Sequence, residues 1–324
     1  MTPSNETETL VRDSLERLAE QAPDGNEVLN ALARARQRQH RRRPRLALAA
    51  AAAAAIAVAA GVPLVVNAVT DVPAQLTPAA GRPVLAYTPG WLPDGFTEQY
   101  RSGGPGNTAQ VRQWQAGASR VEIAAHSTAD PEWAQTALRI SALKDQVVVH
   151  GRVAMVTGPS DTIATLTWMP DDRHVLTAKV EGVPDARTVA EQVADSVTQE
   201  PVLVRGEARF GPLPAGMREE ATTVRGSDSG NATTVLDAGG PAGKVRVTVG
   251  SGSPALGGSR PVRVRGLPGA YVPASGPADA QVTVRLSSGR WLTASGRLPR
   301  EQLVAVADGI VLDSAPDYAW LGTR

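Results

Sequence analysis

The chain of 324 residues contains no cysteine. A disulfide framework and every thiolate-based metal site are thereby excluded. Phenylalanine is nearly absent, with 2 in the whole chain, so a large core must draw its aromatic area from 6 tryptophans and 4 tyrosines. Among these, Trp91, Trp133, Trp168 and Trp291 are expected to supply most of that area, with a groove lined by tryptophans as the functional alternative. Lysine is confined to Lys144, Lys179 and Lys244. Of the 4 histidines, His40 sits among arginines, and none stands at metal-ligand spacing from another ligand type, so His150 and His174 read as surface residues. No G-x-S-x-G nucleophile context occurs. The expectation is a non-enzymatic protein without catalytic, cofactor or metal residues.

What the chain does have is one basic block. Arg34, Arg36, Arg38, Arg41, Arg42, Arg43 and Arg45 run without an intervening acid into an apolar stretch. From Leu46 to Val66 there is no charge or strongly polar side chain. As a helix this run is about 31 Å long, enough for a hydrocarbon core of about 30 Å. A cleavable signal has a short leading segment and an apolar run of about 7–15 residues; here some 45 residues come first, so an uncleaved anchor over 46–69 is expected. Arg41, Arg42, Arg43 and Arg45 then fix the cytoplasmic side, placing the N-terminus inside and the rest of the chain outside. The block has no aromatic or groove-reading motif beside it, so its partner is the lipid bilayer and not nucleic acid.

Residues 1–45 form an inner tail with a short amphipathic stripe. Val11, Leu15 and Leu18 recur at helical spacing behind a capping box of Asn5 and Glu8. Two readings stand: a solvated tail, or a docking element whose stripe fills the groove of a cytoplasmic protein partner. Residues 70–82, rich in Pro and Ala, are a spacer.

Beyond the spacer the sequence repeats itself. "YTPGWLPDGF" (87–96) is echoed by "RFGPLPAGM" (209–217), and "SRVEIAA" (119–125) by "GKVRVTVG" (243–250). "VVVHGRVAMVTGP" (147–159) matches "VRVRGLPGAYVPASGP" (262–277), and the stretch from His174 to Val197 matches that from Arg290 to Val311. The order is kept at a nearly constant offset, so two modules are expected, 83–200 and 201–324. Alternation at Val245, Val247 and Val249 predicts antiparallel strands; Val189 and Val193, like Leu303 and Val306, predict a closing helix. "DPEW" (130–133) predicts one more helix, in the first copy only. The fold class is thus α+β: one transmembrane helix, then a duplicated extracytoplasmic module, each copy an antiparallel curved sheet with a packed C-terminal helix. "GSGSPA" (250–255) has the letters of a dinucleotide fingerprint but no following helix pattern, so it reads as a loop. The outer modules would bind an envelope ligand or protein.

A short leucine-bearing tail, an arginine block, one apolar span and outer modules with Leu92-Pro93-Asp94-Gly95-Phe96 and Leu213-Pro214-Ala215-Gly216-Met217 make a recognisable layout. It resembles single-pass membrane proteins of actinobacteria, some of which are anti-sigma factors or proteins linked to them with an extracytoplasmic sensor domain. The resemblance implies a regulatory protein of the cell membrane, and Trp168 is matched in the second copy by Arg285. A zinc-type anti-sigma tail is not implied, because its cysteines are missing.

Overall fold

The computed structural model describes residues 81–142 and 147–324. The expected span at 46–69, Arg41, Arg42, Arg43, Arg45, the stripe of Val11, Leu15 and Leu18, and residues 70–80 of the spacer lie outside the described residues. Among the described residues no helix is long and apolar enough to cross a membrane. The described residues belong to one compact unit.

The first run of strands is β1 (Val84–Pro89), β2 (Thr97–Gly103), β3 (Gln110–Ala116), β4 (Ser119–Ser127), β5 (Val147–Val149), β6 (Arg152–Ser160), β7 (Ile163–Trp168), β8 (His174–Glu181) and β9 (Val197–Leu203). The second is β10 (Ala208–Arg209), β11 (Arg218–Arg225), β12 (Thr233–Gly240), β13 (Gly243–Gly250), β14 (Arg260–Val264), β15 (Leu267–Val272), β16 (Ala280–Arg285), β17 (Trp291–Gly296) and β18 (Val311–Leu312). Three helices join them among the described residues: α1 (Pro131–Ala142), α2 (Ala186–Asp195) and α3 (Arg300–Gly309).

The two expected sheets are one. Fourteen strands share a single large sheet in the order β14-β15-β16-β17-β13-β12-β11-β2-β3-β4-β8-β7-β6-β5, every pair antiparallel. Read outward from the central β2–β11 pair, both directions run through the same connectivity, seven strands each way. The fusion has a physical reason: a sheet ending at β2 or β11 would expose a row of unpaired backbone groups, and pairing the two edges removes both rows. Outside the sheet, β1 pairs with β9 and β10 with β18.

Side-chain alternation divides each strand between two faces. Val245, Val247 and Val249 of β13 are buried while Lys244 and Arg246 are exposed. The inward face of the first half packs Val121, Ile123, Leu166, Trp168, Leu176 and their neighbours against Ala190 and Val193 of α2 and Tyr87 of β1. The second half packs Val247, Val282, Leu292 and others against Leu303 and Val306 of α3. Each fully buried Val or Leu contributes roughly 1.5–3 kcal/mol. Helix α1 lies on the other face, where Ala137 and Ile140 cover Val175 and where Trp133 and Met155 join them. Its first turn is held by Asp130, whose Oδ1 accepts from the Glu132 amide at 2.9 Å.

The expected source of aromatic area was only partly right. Trp168 is buried, but Trp91 is 37% exposed, and the rings that fill the interior beside Trp168 are Trp114 and Trp320. Trp320 and Leu321 belong to a small third core with Leu85, Val204, Val224 and Ala232 at the meeting of the two halves. Beneath Trp320 lies a buried charge cluster. Glu98 accepts from Arg101 Nε and Nη2 at 2.9 and 2.8 Å, and from Arg112 Nε and Nη2 at 2.7 and 2.8 Å. The Arg101 guanidinium lies 4.1 Å from the Trp320 ring centre, and that of Arg112 lies 5.0 Å from Trp114. The C-terminal segment is tied to the same strand: Glu98 N–H donates to Thr323 O at 2.7 Å and Gly322 N–H to Glu98 O at 2.9 Å.

Register also corrects one pairing of the repeats. Trp168 sits opposite Leu176, and Val284 sits opposite Leu292. Since Ile123 opposes Ala178 as Val247 opposes Ala294, the counterpart of Trp168 is Val284 and not Arg285. Letter matching slipped by one residue, which in a strand means the opposite face.

Candidate functional site

The site begins at a two-residue hairpin loop. Val149 pairs with Arg152, leaving His150 and Gly151 as the turn. Their φ values of 50° and 77° are both positive, the pattern of a type I′ turn, which suits the twist of the flanking strands and needs glycine or a tolerant polar residue. The second half builds the same turn from Arg265 and Gly266, φ 55° and 74°, between Val264 and Leu267. The turns match, and their surroundings differ.

In the second half the turn is strapped down. Arg265 N–H donates to the Asp308 carboxylate, and its guanidinium donates to Asp308 O at 3.0 Å and to Ile310 O, all at the end of α3. Leu267, next in the hairpin, packs against the second core. In the first half the corresponding residues are His150, Asp195 and Arg152. Among the described residues none of the three makes a hydrogen bond through its side chain or an ion pair, and the His150 amide has no acceptor such as Asp308 provides. Beside them opens a cleft of about 290 Å³, lined by Tyr87, Val149, His150, Arg152, Trp168, Pro170, Asp171, Leu176, Val197 and Gln199. Its floor is apolar and fully covered: Val149, Trp168 and Leu176 are at most 1% exposed.

One wall is a polar trio that the sequence reading missed. Asp171 Oδ2 accepts from Tyr87 OH at 3.0 Å and lies 2.9 Å from His174 Nδ1. Its Oδ1 accepts from the amides of Arg173 and His174 at 2.7 and 2.8 Å. Tyr87 and His174 also meet edge to face, ring centres 5.6 Å apart. Burial works to raise the Asp171 carboxyl, but hydrogen bonds from His174, the Arg173 amide and Tyr87 outweigh it and hold the group below its ordinary value. An ionised carboxylate only accepts, so Nδ1 of His174 carries the proton it shares with Asp171. Burial, and then the bond to Asp171, push the Tyr87 hydroxyl well above its usual range, so it stays a neutral donor. The trio spends its polar groups on itself and fixes the ring positions.

His174 was read as an isolated surface histidine; its partner is three residues away, brought round by the turn of Asp171–Arg173. The available signal was the pair of letters Asp171 and His174, weak because such spacing is common in loops. In the second half Arg290 replaces His174 and meets Glu207, Nε to Oε2 2.5 Å, with burial pushing the Glu207 carboxyl up despite its partner. His126, the remaining histidine outside the tail, stacks on Trp133 with ring centres 3.5 Å apart. "GSGSPA" is a loop after β13, with the next strand at Arg260. Among the described residues no group of three His, Asp or Glu side chains is placed to hold a metal ion.

No family model matches the chain, and no curated protein matches it. Among solved structures it is similar to MucB in complex with MucA(peri), at 14% identity over 68% of this chain and 94% of that one, with a TM-score of 0.25. The MucA/MucB complex of Pseudomonas aeruginosa gives the same figures, 14%, 68%, 94% and 0.25. MucB alone follows at 12% identity, 68% and 93% coverage and a TM-score of 0.21. At such scores the likeness assigns nothing to this chain, whose fold and site stand on its own residues.

Proposed function

We propose that this protein is a membrane-anchored, non-enzymatic binding protein of the cell envelope. Its recognition site is the first-half cleft, and its inner tail carries the state of that site to a cytoplasmic partner. The observation that supports the reading is the difference between the two halves at one structural position. Where the second half closes its turn with Arg265, Asp308 and Leu267, the first half leaves the side chains of His150 and Arg152 without partners among the described residues, over an apolar floor. Concave sites with an apolar floor and a few converging polar groups are the usual form of a ligand site. Anchoring follows from the apolar run of Leu46–Val66 behind its arginines.

The absence of native cysteine makes a clean test. Gln199→Cys at the cleft and Glu301→Cys on the exposed side of α3 can each carry a single bimane fluorophore on the full chain in detergent. Titrating the small-molecule and peptide fraction of envelope extract should shift the emission of the Gln199 label saturably and leave the Glu301 label unchanged. Equal responses, or none from the Gln199 label, would sink the recognition-site reading. Reporter fusions address the anchor: one after Arg324 should be active outside the membrane and one at Met1 inside. A soluble, shortened secreted form as the main product would show a cleaved signal instead.

A further inference from the structure

We infer that the first-half cleft takes the carboxyl-terminal apolar residue of a peptide. Its carboxylate sits on the His150 amide and the Arg152 guanidinium, and its side chain enters the cleft between Tyr87, Pro170 and Val197. The inference rests on the reading of this cleft as the recognition site, and adds the class of ligand.

The protein carries its own template for the head group. At the matching turn of the second half, an amide of the type I′ loop donates to a carboxylate, that of Asp308. Pairing Ala190, Val193 and Val197 with Leu303, Val306 and Ile310 makes Asp195 the counterpart of Asp308. Asp195 makes no contact with the first-half turn, so the His150 amide keeps its donor for a carboxylate from outside. Arg152 stands where the second half has Leu267, and it adds a guanidinium with no partner of its own. Such charge-assisted contacts to a carboxylate are about twice as strong as neutral ones.

Charge favours the same ligand. Among the described residues Asp171 is the one acid lining the cleft, and its oxygens are taken by Tyr87, His174 and two backbone amides. What remains unspent on the rim carries no negative charge: Arg152, the His150 amide and imidazole, and the Gln199 side chain. The size fits one large side chain with its head group, since about 290 Å³ lies at the small end of ligand sites and leaves no room for a long acyl chain. A peptide has one more partner available. Among the described residues strand β5 is the last of the sheet, and the backbone of the residues that precede the terminus would pair along it.

Isothermal titration of the full chain in detergent with three probes tests the idea: acetyl-Ala-Ala-Leu with a free carboxylate, the same peptide as its terminal amide, and octanoate. The free acid should bind saturably and the amide about tenfold or more weaker, because the amide lacks the charge that Arg152 pairs with. Arg152→Gln should remove that preference, weakening the acid about tenfold and leaving the amide unchanged. Arg152→Leu installs the residue that closes the second half and should block both peptides without lowering the melting temperature. Equal binding of acid and amide overturns the carboxylate, while the cleft stands if Arg152→Leu still blocks both. Octanoate binding as tightly as the peptide acid overturns the peptide. Binding of none of the three overturns the inference outright; the cleft reading falls with it only if the bimane at Gln199 also stays silent.

Discussion

Glu98 shows how much one residue can carry in this molecule. Its carboxylate is 3% exposed and faces two guanidiniums that are 5% and 6% exposed, so its removal would strand two buried cations. Glu98→Gln is expected to cost about 3–5 kcal/mol, read as a fall in the urea midpoint. The exposed pair Arg187–Glu191, at 3.0 Å along one helix face, is the control: Arg187→Ala should cost at most about 0.5 kcal/mol. A small loss for Glu98→Gln would show that water reaches the cluster. His126 makes a different kind of statement. Burial beneath Trp133 lowers its pKa from 6.5 to about 4, against the pull of Asp130. Between those two values the unfolded chain binds a proton that the folded chain refuses, so stability should fall as pH drops from about 6.5 towards 4. Denaturation midpoints measured at pH 7, 5.5 and 4.5 should fall less steeply in His126→Gln than in the parent; parallel pH profiles would exclude His126 as the cause. At this scale the sequence was hardest to read. Tyr87, Asp171 and His174 are 84 and 3 positions apart, and only the packing of β1 against the sheet brings them together.

At the scale of elements, the two hairpins β5–β6 and β14–β15 share a turn but not its anchorage. Arg265 bonds two carbonyls at the end of α3, where a cation also meets the negative end of the helix dipole. Arg265→Ala should therefore cost about 1–2 kcal/mol and loosen the last turn of α3, whereas His150→Ala should change stability by less than about 0.5 kcal/mol. Hydrogen exchange at the amides of Ala307–Gly309 checks this: faster exchange is expected in the first variant only. The elements themselves were legible. Val245, Val247 and Val249 gave β13 by alternation, Leu303 and Val306 gave α3 by helical spacing, and Asp130 with Pro131 gave α1. Joining the sheets was not legible, because the β2–β11 pair is made of Tyr100, Arg101, Ser102 and Gly103 against Thr222, Thr223, Val224 and Arg225, a mixed polar stretch with no apolar period. Its specificity lies in buried contacts such as Ser102 Oγ to Thr223 Oγ1 at 2.8 Å, which no pattern of letters announces.

For the whole molecule, the shared sheet and the central core of Trp320 and Leu321 couple the two halves, so residues 81–324 should unfold in one calorimetric transition. Ending the chain at Asp317 removes Tyr318, Trp320, Leu321, the bond from the Gly322 amide to Glu98 O and the acceptor that Thr323 O offers to the Glu98 amide. Two separate transitions are expected in that variant; a single transition at lower temperature would show that the β2–β11 pair couples the halves alone. A last consequence concerns force. Asp313 holds both Arg82, at the entrance of the chain into β1, and Arg205, where the chain passes from one half to the other. Tension applied from the N-terminal side of residue 81 therefore reaches the second half through Arg82 and Asp313 before β1 has begun to peel from β9. The two halves share a tether at one carboxylate, and a pull applied at residue 81 loads both in parallel instead of unzipping the first ahead of the second.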